Sequence, residues 1–363
     1  MRPPPQLRSP AGHSWFEIAP KPVGGEVSRT VPGGHSSREG RDVQVTNWLL
    51  EEDQPSVRYH ALVDLLDRKP DDPDVKAALS AIRRVGWARD VLRTQKPTGY
   101  WEAHEPRTVR EWVSFLRFPR FGSSIWKGII LSDLGLTAAD PRIRRLADLI
   151  FEYKLHLSSE VNFFTEEVCI VGNTARMLTR FGYGEDRGVR KLYDWIFEDQ
   201  REDGGWNCAA GEPGTLDCWE ALAAFASVPK ANRTAAMERS ISRGAEFYLE
   251  RKLFEEGRRY APWFRFHYPT HYYYDVLVGL DVLTGLGYAG DRRLQPALRI
   301  LREKRRSDGT WFLDRIHPDE GPGSGRGAAR KKVRPLALER AGEPSKWITL
   351  TALRVLKRVE DAS

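Results

Sequence analysis

Trp101, Trp206 and Trp311 recur at a constant interval of 105 residues, and each closes a short string built on the same plan. The strings are Gln95-Lys96-Pro97-Thr98-Gly99-Tyr100-Trp101, Gln200-Arg201-Glu202-Asp203-Gly204-Gly205-Trp206 and Arg305-Arg306-Ser307-Asp308-Gly309-Thr310-Trp311. A fixed period marks a repeat architecture, in which each unit buries its apolar face by stacking on its neighbours. Whatever this chain folds into must place these strings in equivalent positions.

Between the strings the spacing of apolar residues is helical throughout, so the fold class is all-α. One set of segments, at about 123–135, 166–182, 216–228, 271–287 and 344–359, is apolar or small on several faces and is predicted to be buried. A second set, at about 73–94, 141–155, 187–200, 233–252 and 291–305, carries Arg, Glu and Asp along one face and is predicted to be half exposed. Helix starts are written as Asp72-Pro73, Asp140-Pro141, Asp186-Arg187 and Asp291-Arg292, where the Asp can cap and a Pro fits the first turn. Residues 1–40 are rich in Pro, Gly, Ser and Arg without periodicity and read as a disordered arm; 41–363 reads as one domain, with a mobile Gly/Arg/Lys-rich loop at 317–335.

The middle string, Gln-x-x-Asp-Gly-Gly-Trp led in by Trp195-Ile196-Phe197, resembles the repeat of the terpenoid (squalene-type) cyclases and of protein prenyltransferase β-subunits. As an architecture the resemblance spans roughly residues 45–359. The first string keeps Gln95, whereas the third puts Arg305 in the Gln position. The resemblance implies an α/α toroid of about five to six helical hairpins, with inner helices around a central cavity and outer helices packed on them. The residues themselves agree with a structural role. A Gln amide satisfies backbone groups at a helix end, Gly permits the sharp turn, and Trp wedges between hairpins.

Chemistry is then expected where the inner helices begin. In the protein prenyltransferases an Asp-x-Cys there, completed by a later His, holds zinc; the matching positions are Asp217, Cys218 and His271, with Cys208 as a substitute. Here Asp and Cys are adjacent, and neighbours on a helix project about 100° apart, so joint coordination requires Asp217 in a cap position. The plainer reading makes Cys218 a small buried hydrophobe, Asp217 a cap and His271 a bonded wall residue. Cyclases instead need an acid. Asp275, behind three tyrosines, and Glu220 are the catalytic candidates, with Asp275 alternatively a carboxylate bonded to a loop. Trp126, Phe164, Trp219, Tyr272 and Tyr273 are the expected cavity walls for an isoprenoid-like ligand. A carbohydrate-active toroid would use two of Glu166, Glu220 and Asp275 about 5–9 Å apart, and a non-catalytic binding or scaffold protein on the same fold is the third reading.

The net charge of +7 brings no nucleic-acid recognition motif with it, so a nucleic-acid partner is not expected. No apolar run reaches the ~20 residues of a membrane span, which limits membrane association to a peripheral contact. Three cysteines suit a reducing, cytoplasmic compartment better than a disulfide framework.

Overall fold

The computed structural model describes residues 38–102, 123–151, 167–257, 260–271, 273–316 and 336–363. The expected mobile loop, nearly all of the expected N-terminal arm, and Phe164, Glu166 and Tyr272 lie outside these residues. Among the described residues the regular structure is helical, joined only by isolated bridges between His267 and Arg315 and between Phe312 and Pro344.

Helix α1 (Arg38–Leu49) begins inside the stretch expected to be a disordered arm. The buried set comprises α2 (Pro55–His60), α5 (Ser124–Asp133), α7 (Val168–Leu178), α9 (Glu220–Ala226), α11 (Val276–Leu283) and α13 (Lys346–Asp361). The half-exposed set comprises α3 (Pro73–Ala81), α4 (Gly86–Arg93), α6 (Pro141–Ile150), α8 (Arg187–Asp199), α10 (Ala235–Glu250) and α12 (Gln295–Glu303). Residues 73–94, expected as one helix, are two. The break falls at Gly86, whose φ of +73° is a glycine conformation and whose position admits no side chain, since an added Cβ would lie 2.9 Å from the Asp53 carbonyl.

Helix starts follow the sequence. Asp72, Asp140, Asp186 and Asp291 each accept from the backbone N–H two residues on, at 2.7–2.8 Å. The buried helices pack in succession: α5 on α7, α7 on α9, α9 on α11, α11 on α13, and α13 on α2. The His60 ring, at the end of α2, then meets the Asp133 carbonyl at the end of α5 at 3.0 Å, so the run of contacts returns to its start.

The three tryptophan strings occupy equivalent positions. Trp101, Trp206 and Trp311 each donate the indole N–H to the carbonyl ten residues back, on Val91, Ile196 and Leu301, at 3.1, 2.9 and 2.8 Å. Gly99, Gly204 and Gly309 hold φ of +99°, +88° and +90°, which makes the same turn three times. The Gln95 amide donates to the Gly99 carbonyl and to Arg142 on α6; Gln200 donates to the Gly204 carbonyl and to Ser240 on α10. Arg305 keeps the contact to its own Gly309 carbonyl at 3.3 Å but reaches Asp42 on α1 instead of a backbone carbonyl. The third string therefore clasps the N-terminal helix, and its Gln-to-Arg change suits a carboxylate partner.

Candidate functional site

The buried helices surround a cavity of about 390 Å³ whose wall divides into two chemistries. Near the ends of the helices lie four guanidiniums and three carboxylates. Arg180, just past α7, pairs with Asp133 at the end of α5, and Arg176 stands 3.7 Å from the same carboxylate. Arg354 on α13 grips Asp281 with two bonds of 2.9 and 2.8 Å and reaches Asp64 at 2.9 Å, while Arg358 adds a contact to Asp281 at 3.0 Å. Such bidentate pairing is the strong form of the interaction. Burial acting alone would raise the acids. For Asp64 the hydrogen bond from His60 and the Arg354 charge outweigh it, and for Asp281 the Arg354 and Arg358 charges do, so both carboxyls are held below the usual range.

At the starts of the helices the wall is aromatic. Trp219 lies under the Arg176 guanidinium, 5.1 Å from ring to charge. Tyr268 and Trp347 stack face to face at 4.4 Å. Among the described residues, three of the wall carry a buried donor without a hydrogen-bond partner: Arg176 Nε, Trp219 Nε1 and the Tyr268 hydroxyl. A buried donor without a partner is uncommon in folded proteins, and three around one cavity call for an acceptor.

Of the residues singled out from sequence, Trp219 and Asp275 line this cavity. Asp275 caps α11 by accepting from Val278 N at 2.9 Å and also accepts from His267 N and Nδ1 at 3.1 and 2.7 Å. The helix expected to open at His271 starts only after this cap, and His271 itself sits at φ +49° in the approach. Three donors occupy the Asp275 carboxylate and tie the loop to the helix. His271 packs edge-on against Trp126 at 5.5 Å, and its carbonyl accepts from Asn173 on α7. Tyr273 stands 6.4 Å from the His267 ring, outside the cavity wall, as does Trp126.

Asp217 falls before α9 and accepts from the Trp263 indole at 2.7 Å; Trp219, not Asp217, occupies the position before the first helical residue. Among the described residues no group of three or more His, Cys, Asp and Glu side chains is arranged to hold a metal ion, so Asp217, Cys218 and His271 do not form the zinc set the resemblance implies.

Glu220, the other expected acid, is not part of the cavity wall and is fully buried, and among the described residues neither carboxylate oxygen meets a partner in another residue. Burial pushes its carboxyl well above the usual range, and the neighbouring Cys208 adds to the rise against the opposing charge of Arg176. Around it lie Cys169, Cys208 and Cys218, from three separate stretches of chain, with Cys218 donating to the Cys208 sulfur at 3.8 Å.

The sequence reading missed the guanidinium rim. Its signal was the pairs Arg176/Arg180 and Arg354/Arg358, each four residues apart on otherwise apolar segments, which places each pair on one helix face. No protein-family model matches the chain, and comparison with curated proteins finds no significant match.

Proposed function

We propose that the chain is an α/α toroid that takes an isoprenoid-type ligand with an anionic head into its central cavity. The closed succession of buried helices and the three equivalent tryptophan clasps support the toroid. The head lies at the Arg176, Arg180, Arg354 and Arg358 rim, where guanidiniums outnumber the rim carboxylates. The apolar body runs against Trp219, Tyr268 and Trp347. One observation carries the reading: the unpartnered donors on Arg176, Trp219 and Tyr268 belong to the wall of one cavity that carries both guanidiniums and aromatic rings. A ligand bearing acceptors at one end and hydrocarbon along the rest would satisfy both. A paired-carboxylate glycosidase is less well supported, because Glu220 does not line the cavity and Asp275 is engaged as a helix cap.

The test is a calorimetric titration with farnesyl diphosphate, farnesol, inorganic diphosphate and a linear oligosaccharide. Farnesyl diphosphate should bind at least about tenfold more tightly than either of its halves, since the guanidiniums and the aromatic rings both contribute. Folded protein that binds the oligosaccharide in preference, or no prenyl compound at all, would overturn the reading.

A further inference from the structure

All three cysteines of the chain meet at one place outside the cavity wall. Cys169 stands in the first turn of α7, Cys208 follows the second tryptophan clasp, and Cys218 lies just before α9. The Cys208 sulfur is the focus. It accepts from the Cys218 thiol at 3.8 Å, and the Cys169 thiol and the backbone N–H groups at the N-terminus of α7 favour its charged form. They hold the Cys208 thiol well below its usual ionisation and raise those of Cys169 and Cys218 in exchange. The charged neighbours are Glu220 at the start of α9, Asp199 at the end of α8 and Arg201 just after it. Burial lifts Asp199 to about 6, with Arg201 at 3.1 Å opposing and Cys208 adding to the rise. Glu220, fully buried and, among the described residues, without a partner in another residue, is a second and independent mark of unfinished chemistry here.

We propose that Cys208 and Cys218 are a redox-active thiol pair that takes a low-molecular-weight disulfide as its substrate, with Cys169 positioning the Cys208 sulfur. Cys208, like Cys169, is half-buried, whereas Cys218 is 5 % exposed, so of the pair Cys208 is the sulfur that meets an incoming disulfide first. The Cys208 thiolate attacks one sulfur of the small disulfide, forming a mixed disulfide and releasing one small thiolate, which takes a proton from solvent. The Cys218 thiol then attacks the Cys208 sulfur, forming the Cys208–Cys218 bond. The second small thiolate leaves and takes up the proton that Cys218 loses. Two protein thiols are thus oxidised by two electrons and one small disulfide is reduced to two thiols. The sulfurs stand 3.8 Å apart and a disulfide requires about 2 Å, a gap that side-chain rotation at two cysteines can close.

The experiment exposes the reduced, folded full chain to oxidised glutathione near neutral pH, blocks the remaining thiols, and maps peptides without reduction. The expected product links Cys208 to Cys218 and leaves Cys169 alkylated. Cys218→Ser should stop at a single glutathione on Cys208. Cys169→Ala should form the same bond about tenfold more slowly at neutral pH, with the difference closing as pH rises and the thiol ionises unaided. Circular dichroism of each variant separates loss of reactivity from loss of fold, and the wild-type result stands without the variants. Three free thiols in the folded wild-type chain after exposure, a Cys169–Cys208 bond, or a native mass carrying a thiol-bound metal ion would each overturn the proposal.

Discussion

Gln200 shows what one side chain does in this fold. Its amide donates to the Gly204 and Ser240 carbonyls and its oxygen accepts from the Ser240 hydroxyl at 3.0 Å, so a helix end, a turn and the next outer helix are tied together. Arg305 holds the equivalent place with a charge, and its partner Asp42 is half exposed, where ion pairs are weak. Gln200→Ala should therefore cost about 1–3 kcal/mol in urea unfolding, by leaving part-buried carbonyls unpaired, and Arg305→Ala less than about 1 kcal/mol. Equal losses would mean the clasps are not energetically ranked by their partners. Glu220 makes a prediction of opposite sign. Its folded carboxyl lies above the ordinary 4.5, so the folded state keeps a proton the unfolded chain releases. Stability falls as pH rises beyond that value, until the folded carboxyl itself ionises. The groups facing it are Cys169, Cys208 and Cys218, with Asp217 on the same side and Arg176 opposing. Glu220→Gln should gain on the wild type in thermal denaturation as pH rises past the ordinary carboxyl range, until the folded carboxyl ionises. A gap that narrows with pH would show that Arg176 dominates and the carboxylate is ionised in the fold.

Among elements, the tightest approach is that of α7 to α9. A Cβ added to Gly172 would stand 2.6 Å from the Glu220 backbone carbon, so Gly172→Ala must push the helices apart. A loss of about 1–3 kcal/mol in chemical denaturation is expected, and an unchanged midpoint would mean α9 can shift without cost. Most of these elements were legible in the sequence, because Asp caps, Leu-Gly and Phe-Gly stops and apolar faces are local signals. The failures were tertiary. The run of tyrosines before Asp275 is helix-like in sequence, but the helix starts only at Val276, where Asp275 is held by His267, a residue eight positions away. Gly86 breaks α3 from α4 because the Asp53 backbone passes beside it, a neighbour no local window contains. From the sequence the cysteines suggest a compartment and, at Cys218 or Cys208, a zinc ligand, but not the approach of the three thiols. Their spacing over some fifty residues hides a meeting that only the packing of α7 on α9 brings about.

At the scale of the whole molecule, the two ends of the described chain are joined by charge. Arg305 meets Asp42, Lys346 meets Glu51 and Asp53 at 2.7 Å each, Arg354 meets Asp64, and Lys357 meets Asp67 at 2.8 Å. Arg354 belongs to this seam and to the cavity rim together, so closure of the helix succession and construction of the candidate binding site share a residue. An all-helical repeat could be expected from helical spacing and three tryptophans at a fixed period, whereas the cavity's chemistry could not, because its rim is assembled from six helical segments. On the proposed function, the guanidiniums and the aromatic rings of one cavity take the two ends of one ligand. That claim is tested most directly by calorimetric titration of wild type and Arg176→Met with farnesyl diphosphate and, separately, with farnesol. Loss of about tenfold or more in affinity for the diphosphate, with farnesol affinity unchanged, is the predicted result. Equal loss for both ligands, or none for either, would contradict it.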